Sequence, residues 1–439
     1  MPAKPVGNQT AAAVPEVSAR RIFALALPAL GVLAATPLYL LLDTAVVGRL
    51  GSFELAALAA GTTIQSQVTT QLTFLSYGTT ARSSRLFGQG RRADAIAEGV
   101  QATWVAIAVG LVLAGLIVAF APVFAGWLTG KPEVAAEAAH WMRVAALAIP
   151  LTLVVMAGNG WLRGIQNTRL PLVFTLAGVI PGAILVPFLA GHFGLVGSAW
   201  ANVIGVTITA SCFVGALARS HEGSWRPNPQ VISKQLVLGR DLIVRSLSFQ
   251  VAFLSAAAVA ARFGTAALAA HQILLQLWNF ITLVLDSLAI AAQTLTGAAL
   301  GGGTIAVAYR TGRRITGYSV GFAAALGVVF AAGAGVIPRI FTPDSEVLEQ
   351  LSGPWWLMIV MIVLGGVVFA LDGVLLGASD AVFLRNATIV AVIFGFLPGV
   401  WISFAVDGGL FGVWCGLVAF IALRMIAVIW RFRSRRWAE

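Results

Sequence analysis

Charge is scarce in this chain: only 10% of its 439 residues are Asp, Glu, Lys or Arg, while 59% are hydrophobic. A soluble domain carries about 25% charged residues, so the deficit excludes an ordinary water-borne globular fold. Cysteine is scarcer still. Cys212 and Cys415 fall in apolar stretches without the spacing of a metal or redox pair, and read as packing residues. His140, His192, His221 and His271 are scattered and suggest no metal centre. Nucleotide motifs are missing as well. Gly130-Lys131 runs into Pro132, and Gly88-Gln-Gly90-Arg-Arg-Ala93 and Gly301-Gly-Gly303-Thr-Ile-Ala306 read as turns after membrane helices, not as strand-to-helix fingerprints. There is no HExxH and no nucleophile elbow. These gaps argue against an enzyme, and neither a metal nor a cofactor is expected.

What the sequence has instead is a succession of apolar runs, with a mean hydropathy of +0.91. Roughly twenty apolar residues cross about 30 Å of hydrocarbon as a helix. Continuous runs, not period-two alternation, select helices over a β-barrel. The pattern predicts spans near 22–43, 54–77, 94–122, 135–162, 170–190, 194–218, 241–261, 267–297, 315–337, 351–376, 387–405 and 409–430. The expected fold class is an all-α polytopic membrane protein with twelve transmembrane helices. The net charge of +11 is unevenly placed. Against these spans, 21 Lys and Arg (Arg163 among them) fall on one side and 5 on the other, leaving Arg245 and Arg424 inside spans. The positive-inside rule puts the basic side and both termini in the cytoplasm, which predicts a multi-pass protein of the cytoplasmic (inner) membrane. Basic loops of this kind meet anionic membrane lipids; nucleic acid is not an expected partner. The first twenty residues are polar and Ala/Pro-rich and a full span follows, so no cleavable signal peptide is expected.

The second half of the chain repeats the first at an offset of 213 residues. Arg49-Leu50-Gly51 returns as Arg262-Phe263-Gly264, and Phe87-Gly88-Gln89-Gly90 as Leu300-Gly301-Gly302-Gly303. Asn159-Gly160 with Gly164 returns as Asp372-Gly373 with Gly377. At slightly larger offsets, Pro181-Gly182 matches Pro398-Gly399 and Gly194-Leu195-Val196-Gly197 matches Gly409-Leu410-Phe411-Gly412. Six spans per half is an even number, so the repeats are parallel and related by a pseudo-two-fold along the membrane normal. The expected organisation is a cytoplasmic tail (1–20), an N-terminal six-helix lobe (21–218), a cytoplasmic linker (219–240), a C-terminal six-helix lobe (241–430) and a basic tail (431–439). Two such lobes rocking about a cleft give alternating access.

Three carboxylates look buried: Asp43 in the first span, Asp286 in the eighth and Asp372 in the tenth. Their repeat mates are Ala256, Thr73 and Asn159. A charge required by the shared scaffold would occur twice, so specialised roles are favoured. An Asp at a helix centre costs roughly 2.5–3.5 kcal/mol on insertion scales, and such residues commonly mark a proton, ion or substrate path. Pro28 and Pro37 on the same span open backbone groups to a cavity. Pairing of Asp43 with Arg49 is disfavoured because i,i+6 places the two on different faces. A proton and an organic cation competing for one buried carboxylate is the minimum chemistry of antiport. Asp43 is therefore the candidate proton or cation coupling residue. Tyr39, Gln65, Gln71, Asn159, Asn202, Asp286 and Asp372 are candidate cavity residues, although each polar group taken singly also reads as an interhelical hydrogen bond.

Pro37-Leu-Tyr-Leu-Leu-Leu-Asp43-Thr-Ala-Val-Val-Gly48-Arg-Leu-Gly51 opens an ordered set of motifs. It is followed by Gly160-Trp-Leu-Arg-Gly164-Ile-Gln166, Arg240-Asp-Leu-Ile-Val-Arg245-Ser-Leu, Leu285-Asp286, and Leu371-Asp372-Gly373 with Gly377-Ala378. Together, from about Arg20 to Trp430, they resemble the multidrug and toxic compound extrusion (MATE) transporters, in particular the DNA-damage-inducible F (DinF) branch. The resemblance implies two six-helix lobes and cation-coupled efflux of amphipathic, often cationic compounds. It also implies a coupling role for Asp43 and cavity roles for Asp286 and Asp372. Two departures stand out. Gly182 and Val186 occupy fifth-span places where many relatives carry Asn and Asp, and Gln293, added here to the cavity set, stands where some have Glu. Fewer carboxylates favour protons over Na⁺, which prefers several oxygen ligands.

The sequence thus predicts a monomeric secondary antiporter that exports amphipathic, often cationic, small molecules in exchange for protons in preference to Na⁺. A flippase for a lipid-linked precursor is the alternative. It would call for a basic cavity, whereas the buried charges in the sequence are mostly acidic. A membrane-embedded enzyme lacks its catalytic constellation, and a pure scaffold leaves carboxylates without repeat mates unexplained.

Overall fold

The structure, a computed structural model, describes residues 18–438, and no strand occurs among them. The expected tail 1–20 therefore lies almost wholly outside the described residues. The first half forms α1 (Ala19–Val47), α2 (Ser52–Gln71), α3 (Phe74–Gly88), α4 (Arg92–Leu128), α5 (Pro132–Ala145), α6 (Ala148–Gly164), α7 (Arg169–Phe193) and α8 (Leu195–Ser220). The second forms α9 (Pro229–Arg262), α10 (Thr265–Gly301), α11 (Ile305–Ala332), the short α12 (Ile337–Phe341), α13 (Ser345–Gly377), α14 (Ala381–Ala391), α15 (Leu397–Ala405) and α16 (Gly409–Ser434). Hydrocarbon offers no water to backbone amides, so each apolar run must satisfy its own hydrogen bonds as a helix. Among the described residues ten segments are long and apolar enough to span, α14 and α15 counting as one through a π-helical turn at Val392–Phe396. That turn falls where the repeat offset grows beyond 213, between Gly377 and Pro398. The pair α5–α6, bent by 44°, supplies an eleventh.

The twelfth traverse is α2–α3, which the sequence predicts as one span over 54–77. It is broken at Leu72–Thr73 and resumes to Gly88. The cause lies in its hydroxyls. Thr62 and Thr69 donate to the carbonyls of Leu58 and Gln65 at 2.8 Å, and Thr73 donates to that of Thr70 at 2.9 Å. Such back-bonding competes with the helix ladder and bends it.

Two expected boundaries move. The linker 219–240 is helical from Pro229, because the Asn228 side chain accepts from the N–H groups of Gln230 (3.0 Å) and Val231 (3.4 Å), and Pro229 needs no donor at the first helical position. The non-helical remainder is strapped to α4. Gln101 donates to the Arg226 carbonyl (3.1 Å) and accepts from the Asn228 N–H (2.7 Å), while the Trp104 indole donates to the Trp225 carbonyl (2.8 Å). At the other end α16 runs on to Ser434, inside the expected tail 431–439.

The repeat is visible in the backbone. Gln166 and Ser379, 213 residues apart, share the left-handed conformation at φ 63° and 64°, and Gly90 and Gly303 pair likewise at 77° and 86°. Both lobes contribute to one hydrophobic core that runs the length of the first lobe and takes in the second at the end that carries the termini, including Leu75 and Leu153 from one and Leu295 and Val374 from the other. At the far end the second lobe has its own core around Trp278, Trp355 and Trp414. The joint between lobes is the crossing of α3 and α10. A side chain at Gly88 would run into the backbone of Ala298, and one at Gly301 into the backbone of Arg85. Residues 85 and 298, like 88 and 301, are repeat mates, so the contact is symmetric about the pseudo-axis. Ser84 and Gly297, also mates, meet each other there.

Candidate functional site

On α1 the buried residues Ala35, Tyr39, Asp43 and Val47 recur every four positions, which makes one stripe facing the interior of the first lobe. Prolines leave their mark on this helix. Pro28 has no N–H for the Ala24 carbonyl, and the Thr168 hydroxyl on the α6–α7 turn donates to it instead, at 3.4 Å. Pro37 likewise leaves the Leu33 carbonyl without its helical donor, and Leu33 lies in the wall of a cavity.

That cavity, of about 500 Å³, is lined by α1, α2, α3, α6, α7 and α8 of the first lobe. Its wall is apolar on one side (Val32, Leu40, Val155, Met156, Val179, Val206) and rich in hydroxyls on the other (Thr62, Ser66, Thr69, Thr70, Thr73, Ser76). Four of the residues singled out in the sequence line it: Tyr39, Gln65, Asn159 and Asn202.

Asp43 lies one helical turn beyond Tyr39 and is 3% exposed. Tyr39 packs on Val186 and Ala201 and lines the cavity, whereas Asp43 does not. The Tyr39 hydroxyl and the Asp43 Oδ1 have no hydrogen-bond partner. Ser198 on α8 faces the Asp43 carboxyl. Its Oγ accepts from the Trp141 indole N–H at 3.0 Å, which leaves the Ser198 proton free to point at Asp43.

The other span carboxylates are engaged. Asp286 is half-buried at the lobe interface and accepts from the Tyr77 hydroxyl at 2.5 Å, while Gln293 donates to the Tyr77 carbonyl at 2.7 Å. Both bonds join one lobe to the other. Asp372 lies in the second lobe, where its Oδ2 receives Arg245 at 2.5 Å and Arg424 at 2.6 Å. Arg424 is further held 4.6 Å above the Phe249 ring. Asp286, Gln293 and Asp372 therefore do not line the cavity, and Gln71, at the break between α2 and α3, does not either.

Two expectations about charge need correction. Arg163, counted with the loops, is a residue of α6, 5% exposed and in the cavity wall. It belongs with the half-buried Arg245 and the buried Arg424 as an arginine within a spanning helix. The predicted span stopped at residue 162, one position short, and helical phasing from Asn159 (i,i+4) was the signal that could have found it. Glu98 and Asp241 are also buried, beyond the three carboxylates expected. Each has a partner at the termini-bearing end: Arg82 grips Glu98 with two bonds of 2.6 and 2.8 Å, and Arg385 reaches Asp241 at 2.6 Å.

The MatE family model matches residues 28–188 and 242–401, once in each lobe. The chain is 31% identical over 452 residues to Protein DETOXIFICATION 44, chloroplastic, of Arabidopsis thaliana, covering 94% of this chain and 82% of the relative. It is 29% identical to the DNA damage-inducible protein F of Escherichia coli (strain K12), covering 96% and 94%. Among solved structures it superposes on a MATE protein crystallised in a bent conformation with a TM-score of 0.88 at 18% identity, covering 95% of this chain and 96% of that one. On a MOP superfamily transporter from Pyrococcus furiosus the TM-score is 0.85 at 19% identity, with the same coverage. At such identities the superpositions speak for the fold, two lobes of six spans each. With a matching model in both lobes and full-length relatives, the chain belongs to the MatE family, whose members are membrane transporters and not enzymes.

Proposed function

We propose that this protein is a secondary antiporter that exports amphipathic small molecules in exchange for protons, with Asp43 as the coupling residue. It works in the inner membrane, as a monomer, with the basic ends of its helices in the cytoplasm. One observation carries the reading. Asp43 is a buried carboxyl with no salt bridge among the described residues, one turn from the cavity, whereas Asp286 is bonded to Tyr77 and Asp372, although its Oδ1 is also unpaired, is gripped by two arginines through Oδ2. A carboxyl without a cation partner in a dry site is stabilised by taking a proton and destabilised by losing one. Its protonation can therefore bias α1 between two arrangements. Protons are favoured over Na⁺ because Gly182 and Val186 add no side-chain oxygen beside Tyr39, and Na⁺ needs several. A cavity of about 500 Å³ suits a drug-sized molecule, pockets for which span roughly 300–1,000 Å³. The basic wall residue Arg163 is the one feature on the side of a lipid-precursor flippase, and the cavity is small for such a cargo.

In proteoliposomes, adding an amphipathic dye should release protons from the wild-type protein in step with dye movement. Asp43→Asn should bind dye and exchange none. Wild-type exchange by Asp43→Asn would overturn the assignment.

A further inference from the structure

Of the residues lining the first-lobe cavity, Arg163 alone carries a formal charge, and no carboxylate shares the wall with it. Burying a guanidinium is costly unless its donors are met. Here they are barely met. Arg163 has five N–H donors, yet its one hydrogen bond among the described residues is a 3.3 Å contact to Ser76 Oγ, and its Nε has no partner. It forms no salt bridge among the described residues. Asp286 is the nearest carboxylate to influence it, but Asp286 is already bonded to Tyr77 and lies in the field of Arg245 as well. Arg245 and Arg424 share Asp372. Three arginines within the spans thus face two carboxylates, and the surplus positive charge is the one exposed to the cavity.

We infer that Arg163 is an anion site. The molecules that enter this cavity carry a carboxylate, sulfonate or phosphate group seated on its guanidinium, and their apolar part lies along Val155, Met156 and Val179. A planar guanidinium binds such groups through two parallel hydrogen bonds, which gives orientation as well as affinity. Asn159, one helical turn away on the same face of α6, offers a neutral donor to the same group. This refines the cargo expected from the sequence, from often cationic to anionic or zwitterionic. It rests on the reading that the cavity holds cargo, and not on the coupling role of Asp43.

The test is calorimetric binding without any gradient, to the full chain in phosphatidylcholine nanodiscs. The probes are 1-naphthaleneacetate and its neutral isostere 1-naphthaleneacetamide. The wild type should bind the acetate about tenfold more tightly, the worth of one charge-assisted hydrogen bond. Arg163→Lys should keep part of that preference and Arg163→Gln should abolish it. Should Arg163→Gln fail to fold, the wild-type ratio and Arg163→Lys still decide. Equal binding of the two probes by the wild type overturns the anion site. Repeating the titration with phosphatidylglycerol in the disc separates sources. Weakened acetate binding in the wild type alone supports the site with a lipid headgroup as occupant; unchanged binding supports it with a free small molecule. Asp43→Asn should still prefer the acetate over the acetamide, whatever becomes of exchange. Loss of exchange with binding intact would leave the anion site standing, whereas proton exchange without anion preference would sink the anion site alone.

Discussion

In the first lobe Val32, Asn159 and Thr209 line an open cavity. The equivalent places in the second lobe, 213 residues on for the first two and 215 for the third, hold Arg245, Asp372 and Arg424. There the two guanidiniums close on one carboxylate oxygen at 2.5 and 2.6 Å. Around them, Tyr39 and Asp43 become Ala252 and Ala256, both fully buried. The helices differ in the same sense. Where the first lobe breaks its traverses into α2–α3 and α5–α6, the second runs unbroken as α10 and α13. One repeat thus holds an open chamber and the other is plugged with an ion triad. Burying such a triad is weak evidence for stability in itself, because desolvation offsets the attraction. Its evident effect is to occupy the space that the first lobe leaves open, so that under the proposed function cargo and coupling chemistry concentrate in one half.

The largest test of this contrast removes the plug. Asp372→Leu leaves two buried arginines without a counter-ion and should cost about 3–5 kcal/mol in thermal or denaturant unfolding. Asn159→Leu, at the mate position, should cost far less and should abolish cargo binding. Equal losses of stability would mean that the two centres are not different in kind. Next are the crossing glycines. Gly88→Ala and Gly301→Ala each push a methyl into a backbone carbonyl of the other lobe, an overpacking of about 1–3 kcal/mol. Both should open the termini-bearing end, read as faster thiol labelling of Leu300→Cys in a chain lacking Cys212 and Cys415. A response from one glycine and not the other would break the symmetry. The smallest effect is Tyr77→Phe, which removes the bond to Asp286 at a cost of about 1 kcal/mol. It should raise labelling at the same site slightly and, because Tyr77 lines the cavity and holds Asp286 away from Arg163, weaken anion binding.

Much of this was legible in the sequence because glycines, prolines and loop charges are hard to match by chance. The offset of 213 locates the lobe relation before any coordinates, and the shared left-handed backbone at Gln166 and Ser379 gives the same answer. Asp43 stood out as a candidate because a carboxylate is costly in hydrocarbon. The fate of Asp372 did not, since nothing local says that Arg245 and Arg424, on α9 and α16, converge on α13. Gln71 and Asn159 looked alike as isolated polar residues, and only the break after α2 turns one of them away from the cavity. Arg163 was lost to a boundary, because hydropathy ends a span where charge begins whichever way the side chain points.

The crossing of α3 and α10 has one more consequence. A contact in which residue 88 meets 298 while 301 meets 85, with 84 and 297 touching on the axis, is isologous: the same patch serves on both partners. That is the geometry of a two-fold homodimer. The joint between the lobes is thus the kind of interface that two separate six-helix subunits would form, held within a single chain, and each half presents to the other the surface that a free copy would recognise.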